Sequence, residues 1–224
     1  MVSLVLSLGV FAQGNGKGDE LKAAREYVDK ASKVMNEIMR AEDRAIPREI
    51  MQKAYAVAVF PGAIKAGFII AGQGGAGVVV RRLGDGWSAP AFLNMGGASF
   101  GPQIGAQSTD YVLVIRNPEG LNELLKDKFE MGAEGSVAAG PVGRTAAAST
   151  NATLDAGILT YSRSKGLFAG LALKGIVIEP NDDVQNAVYG GKRPREMLVT
   201  NPIRNNAAPA NLQKFANTVA GYAR

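Results

Sequence analysis

The stretch Tyr55–Ile115 decides the fold, and it reads YAVAVFPGAIKAGFIIAGQGGAGVVVRRLGDGWSAPAFLNMGGASFGPQIGAQSTDYVLVI. It holds 12 of the chain's 28 glycines, placed among short apolar runs rich in Val, Ile and Phe. Glycine weakens a strand, so its repeated use in extended runs marks bulges, bends or the close approach of another backbone. A similar texture returns over residues 135–178. We therefore predict an α+β fold with a glycine-rich antiparallel β-core, sandwich or barrel-like, flanked by an N-terminal amphipathic helix and further helices.

The segment before this core has the periodicity of a helix. From Asp19 to Ile38, apolar residues recur every three or four positions, with charged residues between them. Asp19 is the predicted N-cap, and the helix should end before Pro47, which suits the first position of a short second helix. The apolar stripe is typical of a helix packed on a sheet. The alternative is a helix lying on a membrane surface, although the mixed charges of its polar face argue against a purely electrostatic anchor.

Turn and cap residues divide the rest of the chain. Residues 83–86, Leu-Gly-Asp-Gly, are predicted to join strands 76–82 and 87–93 in a hairpin. A second turn over 162–166 is predicted to join strands 156–161 and 167–178. Further predictions are a buried strand over Thr109–Ile115, helices from Asn117-Pro118 to about Lys128, from Asn181 to Gly190 and from Pro209 to Ala223, and a loop over 192–206.

The composition excludes several kinds of active site. The chain has neither cysteine nor histidine, so it can form no disulfide, thiol nucleophile, histidine metal cluster or Ser-His-Asp triad. Ser164 and Lys165 are neighbours in a predicted turn, where adjacent side chains diverge and an exposed lysine stays protonated. The carboxylates with no recognisable acid/base or metal spacing are Asp110, Asp155, Asp182 and Asp183. We predict no enzymatic activity, no cofactor and no metal site.

One glycine cluster imitates a nucleotide-binding motif. Residues 72–77 match G-x-G-x-x-G by letters, but Val78-Val79-Val80 follows where a dinucleotide-binding motif needs a helix. No acidic residue is well placed to hold a ribose. The pattern therefore favours glycines that bend a strand.

The N-terminus resembles an export signal. Residues 1–11 form an apolar run too short to span a bilayer, and cleavage is predicted after Ala12. We predict a signal-peptide-like segment and spacer over 1–18 and a single domain over 19–224. This predicts an exported, periplasmic or extracellular protein that is peripheral to a membrane. The alternative is a frayed or buried N-terminal strand.

Positive charge collects at the two predicted hairpin tips. The net charge of +5 permits binding to anionic partners. Arg81 and Arg82 lie at one tip, Arg163 and Lys165 at the other, and Lys65 would add to a basic rim if both tips reach the same end. Each such cation contributes about 1 kcal/mol near an anionic membrane. The alternative is that these residues are solvated and keep strand edges soluble.

The order of short motifs resembles the SYLF domain family over about residues 21–190. The motifs are Ile46-Pro47, Ala58-Val59-Phe60-Pro61, Lys65-Ala66-Gly67-Phe68, Gly77-Val78, Trp87-Ser88-Ala89-Pro90, Gly101-Pro102-Gln103-Ile104-Gly105, Thr109-Asp110, Ala139-Gly140-Pro141, Gly143-Arg144 and the stretch Tyr161-Ser162-Arg163-Ser164-Lys165-Gly166-Leu167-Phe168-Ala169-Gly170. The family is named from eukaryotic proteins that join membranes to actin patches, and one branch is known as a yeast-type actin-binding domain. Bacterial members are usually exported.

The resemblance implies a non-enzymatic lipid-binding module that prefers anionic phospholipids, phosphoinositides in eukaryotes. An amphipathic N-terminal helix and basic surface residues are held responsible there, and by position Lys22, Arg25, Lys30 and Lys33 correspond to that helix. We expect an anionic phospholipid or membrane surface as the partner, and no nucleic acid. The alternative is a structural or protein-interaction module of the bacterial envelope, with an actin-type partner only by family analogy.

Overall fold

The computed structural model describes residues 16–41, 46–67, 70–100, 105–132, 137–142, 156–164, 167–170 and 175–224. Residues 1–15 of the predicted signal segment and spacer, Lys165 and Asp155 lie outside these ranges. The helices are α1 Lys17–Met39, α2 Arg48–Gln52, α3 Pro118–Leu124, α4 Asp182–Tyr189 and α5 Lys214–Tyr222. The strands are β1 Ala56–Gly67, β2 Ile70–Leu83, β3 Gly86–Trp87, β4 Ala91–Phe100, β5 Gly105–Ile115, β6 Phe129–Met131, β7 Val137–Ala139, β8 Ile158–Ser164, β9 Leu167–Gly170 and β10 Ile176–Pro180.

All ten strands belong to one curved sheet. Its order is β6-β10-β4-β2-β1-β5-β8-β7, with β3 added to β2 and β9 added to β8. The described strand pairs are antiparallel except β7 with β8, which are parallel. The sheet curves into a nearly closed, barrel-like layer flanked by helices, so the predicted α+β class with a barrel-like core is confirmed.

Glycines let the central strands approach one another closely. The segment 72–77 that imitates a nucleotide motif runs straight through β2 and opens no helix. A Cβ at Gly77 would overlap the carbonyl oxygen of Val59 and the ring of Phe60 in the neighbouring strand β1. Larger residues at this position would force the two strands apart, which explains a glycine in the middle of a long strand.

The two faces of the sheet bury separate cores. One face carries Val59, Val78 and Val112, and it is covered by α1, α2, α4 and α5. The other face carries Phe60 and Leu113, and it packs against α3, β6 and the segment 196–200. Alternate residues of β1 therefore serve opposite cores, as the two-residue period of a strand requires.

Several helix ends lie at the cap residues that the sequence predicts. Asn117 Oδ1 accepts from the Gly120 N–H at 2.8 Å, and Asn181 Oδ1 accepts from the Val184 N–H at 3.2 Å. Helix α4 ends at Gly190, whose φ of 66° is left-handed. The predictions missed four boundaries: α1 begins at Lys17, two residues before Asp19; α3 ends at Leu124, before Lys128; Pro47 lies at the N-cap rather than inside α2; and α5 begins at Lys214 rather than at Pro209.

Two predictions about connectivity were wrong. Residues 176–180 do not continue β9; they form β10, which pairs with β4 and β6. The segment 192–206 was predicted as a loop, yet Glu196–Thr200 forms a π-helical turn. The apolar pattern identifies a strand but not its partner, and the π-helical turn buries only Met197 and Leu198, too few residues to show a period.

Candidate functional site

A cleft of about 480 Å³ lies between α1 and the sheet, and we call it the α1 cleft. Three elements from distant parts of the chain form it: the second half of α1, a bulge in β1 and the paired strands β5 and β8. Its lining residues are Lys30, Lys33, Val34, Glu37, Pro61, Gly62, Ser108, Asp110 and Arg163.

The bulge in β1 supplies a backbone donor beside the cleft. The register of β1 with β5 shifts between Phe60 and Ala63, and Gly62 within the shift has a φ of 61°. This left-handed conformation favours glycine. The Gly62 N–H donates to Asp110 Oδ1 at 2.8 Å, so the Asp110 carboxylate is fixed by backbone from the neighbouring strand.

Arg163 links three elements through two carboxylates. Its Nε and Nη2 donate to Asp110 Oδ2 at 2.9 and 2.7 Å, across the β5–β8 pair. Its Nη1 contacts Glu37 of α1. Partial burial would lower the pKa of Arg163, but the hydrogen bonds and charges of Asp110 and then Glu37 outweigh it, and the pKa is raised. The arginine therefore stays charged and joins α1 to the sheet.

Lys30 and Lys33 lie on the solvent side of the same cleft. Lys30 Nζ is 3.2 Å from Glu26 Oε2, and Lys33 Nζ is 3.9 Å from Glu37 Oε1. Both lysine side chains are more than half exposed, and such surface pairs contribute little, typically about 0–1 kcal/mol. These two ammonium groups can therefore exchange their present partners for an incoming anion at small cost.

Arg82 has a different environment from the one predicted. Its guanidinium lies 4.8 Å from the ring centroid of Trp87, and burial lowers its pKa. It donates hydrogen bonds of 2.9–3.3 Å to the carbonyl oxygens of Met51, Gln52, Ala54 and Ala223. Cations at helix C-termini are favourable because the carbonyl dipoles point towards them. Arg82 thus holds the ends of α2 and α5 against β2.

Arg81 is also occupied within the fold. Its Nη1 donates to the Leu198 carbonyl at 2.5 Å, and its guanidinium lies 5.0 Å from the ring centroid of Tyr55. The Leu198 carbonyl belongs to the π-helical turn, so Arg81 joins that turn to β2.

The two hairpin tips lie at different levels of the sheet. Arg81 pairs with Ala56, Ala56 with Ile115, and Ile115 with Ile158. Arg163 is five residues further along β8, about 17 Å at the rise of a strand. The structure therefore does not bring these arginines together on one rim.

The other predicted basic residues have the following positions. Lys65 lies in β1, where its backbone pairs with Gln73 and Gln107. Lys22 and Arg25 are exposed on α1, before the cleft, and Arg25 Nε is 3.9 Å from Asp29 Oδ2. Of the nine predicted lipid-binding residues, the α1 cleft brings together Lys30, Lys33 and Arg163, and the binding roles of all nine stay predictions.

Sequence reasoning missed the carboxylates and the backbone donor of this site. Asp110 was considered as a carboxylate without an acid/base or metal partner and as part of the Thr109-Asp110 motif, and Gly62 was not singled out. A lone aspartate in an apolar strand implies a cation on a neighbouring strand, and the Lys33–Glu37 spacing implies a helical ion pair. The sequence does not indicate which strands are neighbours, so Arg163 could not be assigned to Asp110.

Two further searches concern the part of the chain that the structure describes. No three acidic side chains there come close enough to ligate a metal ion. Within the same residues, no helix has the length and apolar character needed to cross a lipid bilayer.

The fold is a barrel-like sheet flanked by helices with the α1 cleft at its surface, and comparison with known proteins gives its family. A family model described as "Ysc84: Las17-binding protein actin regulator" matches residues 96–222. LAS seventeen-binding protein 3 of Saccharomyces cerevisiae (strain ATCC 204508 / S288c) is 33% identical over 193 residues, 82% of this chain and 42% of that protein. SH3 domain-containing YSC84-like protein 1 of Homo sapiens is 32% identical over 167 residues, 71% of this chain and 48% of that protein.

The chain belongs to the Ysc84 family, whose domain is also called SYLF, and the predicted resemblance is confirmed. This is a family of binding and regulatory domains rather than of enzymes. The chain spans less than half the length of these relatives. The family model covers Ser108, Asp110 and Arg163 but begins after α1 and β1, so the matched residues supply only the β5–β8 part of the cleft.

Proposed function

We propose that this domain binds an anionic phospholipid at a membrane surface through the α1 cleft. The observation that supports the proposal is the convergence of Lys30, Lys33 and Arg163, which come from two distant parts of the chain, on one cleft. All three are among the binding residues that the sequence predicts.

The three cations of the cleft differ in how strongly they are paired with carboxylates. Arg163 is held by Asp110 and Glu37, so it positions α1 and lends its charge to the cleft. Lys30 and Lys33 are exposed and weakly paired. A cation at an anionic membrane surface contributes about 1 kcal/mol, comparable to or greater than a surface ion pair. The two lysines therefore supply most of the binding energy.

The proposed contact with the membrane is polar, because the apolar stripe of α1 is buried against the sheet. Val28, Met35 and Ile38 are at most 1% exposed and pack in the core beneath the helix. Insertion of this stripe into a bilayer would require α1 to leave the sheet and would expose the core beneath it. The proposal therefore requires binding that depends on vesicle charge and weakens with salt.

Vesicle co-sedimentation of residues 13–224 tests the proposal. Neutral phosphatidylcholine vesicles are compared with vesicles containing phosphatidylserine, at low and high salt. We expect binding only to the anionic vesicles. The double variant Lys30→Ser/Lys33→Ser should weaken that binding about tenfold or more, because it removes two cations worth about 1 kcal/mol each.

The matched control is Lys126→Ser/Lys128→Ser, which removes the same charge from exposed positions outside the cleft. It should weaken binding much less. Equal losses from the two double variants would show that total charge, and not the α1 cleft, governs the interaction.

The family description supports a second candidate, a protein-interaction module with an actin-type partner. The matching family model is described by Las17 binding and actin regulation, and its span of residues 96–222 leaves out α1. This candidate predicts binding to a protein partner that is indifferent to lipid charge and to salt. Co-sedimentation of the parent protein and of the Lys30→Ser/Lys33→Ser variant with actin filaments separates the two candidates. The protein-interaction candidate predicts that the variant binds actin filaments as well as the parent protein does.

We also propose that the N-terminal segment directs export. The support is its apolar run and the small residues before the predicted cleavage point after Ala12. N-terminal sequencing of the mature protein from fractionated cells should begin at Gln13; an uncleaved chain in the cytoplasmic fraction would contradict export.

A further inference from the structure

A second cleft, of about 310 Å³, lies between the tip of the β2–β3 hairpin and α5. Its chemistry differs from that of the α1 cleft, because side-chain amides dominate the lining. Asn205, Asn206, Gln213 and Asn217 all border it, and we call it the amide cleft. The small residues Gly86, Ala216 and Ala220 make room between them.

Part of this amide set is fixed by hydrogen bonds within the protein. Asn205 Nδ2 donates to the Gln213 carbonyl at 3.1 Å and to Asn217 Oδ1 at 3.0 Å. Gln213 Nε2 donates to the Ala208 carbonyl at 2.8 Å. These bonds orient the amide groups, so their remaining atoms hold defined directions without a ligand.

The remaining atoms are unused within the described part of the chain. Asn205 Oδ1 is buried and has no partner there. Gln213 Oε1, Asn217 Nδ2 and both polar atoms of Asn206 also take part in none of the hydrogen bonds among these residues. The cleft therefore offers both donors and acceptors, and a buried acceptor without a partner costs free energy until a ligand or water satisfies it.

The lining carries no net charge. Its two ionic side chains, Arg204 and Asp85, form an ion pair with each other. An anionic lipid headgroup would find no unpaired cation here, in contrast to the α1 cleft. Alternating donors and acceptors without net charge suit a neutral ligand rich in hydroxyl groups.

The same ion pair borders a further depression. That depression, of about 390 Å³, is also lined by Leu83 and Pro202. The two hollows share Asp85 and Arg204 in their linings, so they adjoin each other at the hairpin tip. We propose that the amide cleft binds a neutral oligosaccharide, with the first sugar among the amides and the next beside the Arg204–Asp85 pair. This site is separate from the proposed lipid function.

The chain's single tryptophan makes the proposal directly testable. Trp87 lines the amide cleft and is the chain's single tryptophan, so a ligand that changes the cleft should change its fluorescence and its indole N–H resonance. Chitotetraose and maltotetraose are titrated into the protein, with a capped Ala-Asn-Ala peptide as a neutral amide probe. We expect a saturable change with at least one saccharide and none with the peptide.

Variants tie the response to the cleft. Asn206→Ala/Asn217→Ala should weaken saccharide binding about tenfold, because it removes two exposed hydrogen-bonding groups. Asn206→Ala by itself, which disturbs no internal bond, should weaken it severalfold, and Asn186→Ala, an exposed asparagine of α4 outside the cleft, should leave it unchanged. Absence of a saturable change with either saccharide, preference for the peptide, or equal binding by the Asn206→Ala protein would each overturn the proposal.

Discussion

Arg82 and Arg163 are both predicted to lie at hairpin tips as exposed cations, but in the structure they bind different kinds of acceptor. Arg82 is surrounded by backbone carbonyl oxygens and the ring of Trp87, with no carboxylate among its described partners. Arg163 is bound by the carboxylates of Asp110 and Glu37. Neutral acceptors leave the positive charge of Arg82 uncompensated inside the fold, whereas carboxylates neutralise Arg163 twice over.

The kind of acceptor indicates whether each arginine stabilises the fold or belongs to the proposed binding site. Arg82 donates to carbonyl oxygens at the ends of α2 and α5, where a helix runs out of backbone donors for its last carbonyls. Arg82 is therefore part of the architecture. The Arg163 ion pairs lie at the surface of a cleft, where an outside anion can compete for the neighbouring lysines. The following substitutions test this distinction in order of decreasing effect.

Arg82→Ala should have the largest effect, lowering the free energy of unfolding by about 3 kcal/mol. It removes several charge-assisted hydrogen bonds and the stacking on Trp87. Arg82→Lys should restore less than half, because a single ammonium cannot reach carbonyls spread over two helix ends. Guanidinium chloride unfolding measures both.

The control for this loss is Arg48→Ala, at an exposed position of α2, which should change stability by less than about 0.5 kcal/mol. Vesicle binding by folded Arg82→Ala should equal that of the parent protein. A selective loss of vesicle binding with unchanged stability would instead place Arg82 in the lipid site.

Asp110→Ala should come next, at about 2 kcal/mol. It leaves the Gly62 N–H without its acceptor and Arg163 with Glu37 as its remaining carboxylate in the cleft. Asp110 has a side chain that is 16% exposed, so solvent replaces the lost partner only in part. Thermal unfolding at low and high salt measures the effect.

Asp127→Ala is the matched comparison, since it breaks a pair with Arg193 in which Asp127 is 87% exposed. Its cost should stay below about 0.5 kcal/mol and vanish at high salt, whereas most of the Asp110 cost should persist. Similar costs for the two aspartates would mean that the α1 cleft is as solvated as open surface.

Glu37→Gln should have the smallest effect on stability, within about 0.5 kcal/mol, and should strengthen binding to anionic vesicles two- to fivefold. The change removes one negative charge from the cleft and frees Lys33 from its pair. Glu123→Gln, which removes the ion pair of Lys126 with Glu123 outside the cleft, is the control in the same co-sedimentation assay. A Glu37→Gln protein that binds no better than this control would count against the cleft as the lipid site.

Much of the fold followed from local chemistry. Glycine texture predicted a curved, closely packed sheet, and Gly77 against Val59 shows that close approach directly. Asn117, Asn181 and Gly190 marked helix ends because caps act within four residues. Sheet order was not predictable, since β4 receives β10 from about 80 residues later in the chain. The parallel β7–β8 pair was hidden for the same reason.

The site was predictable in its cations but not in its geometry. Lys30 and Lys33 were marked by the family resemblance of the N-terminal helix, and Arg163 by its place at a predicted hairpin tip. Whether an arginine meets carbonyls or carboxylates depends on contacts between segments remote in sequence, such as Arg82 with Ala223 and Arg163 with Glu37. Periodicity carries no information about such contacts.

The docking of α1 against α5 has a consequence for biosynthesis. Lys214 binds Asp29 at 2.6 Å, and Tyr222 donates to Asn36 at 2.8 Å, so α1 is closed by residues made about 185 positions later. At ordinary translation speeds that interval is roughly 10 to 40 seconds. During this time the core around Val28 and Met35 lacks the part that α5 contributes. The packing of α1 can therefore be completed only after the C-terminal helix has left the ribosome.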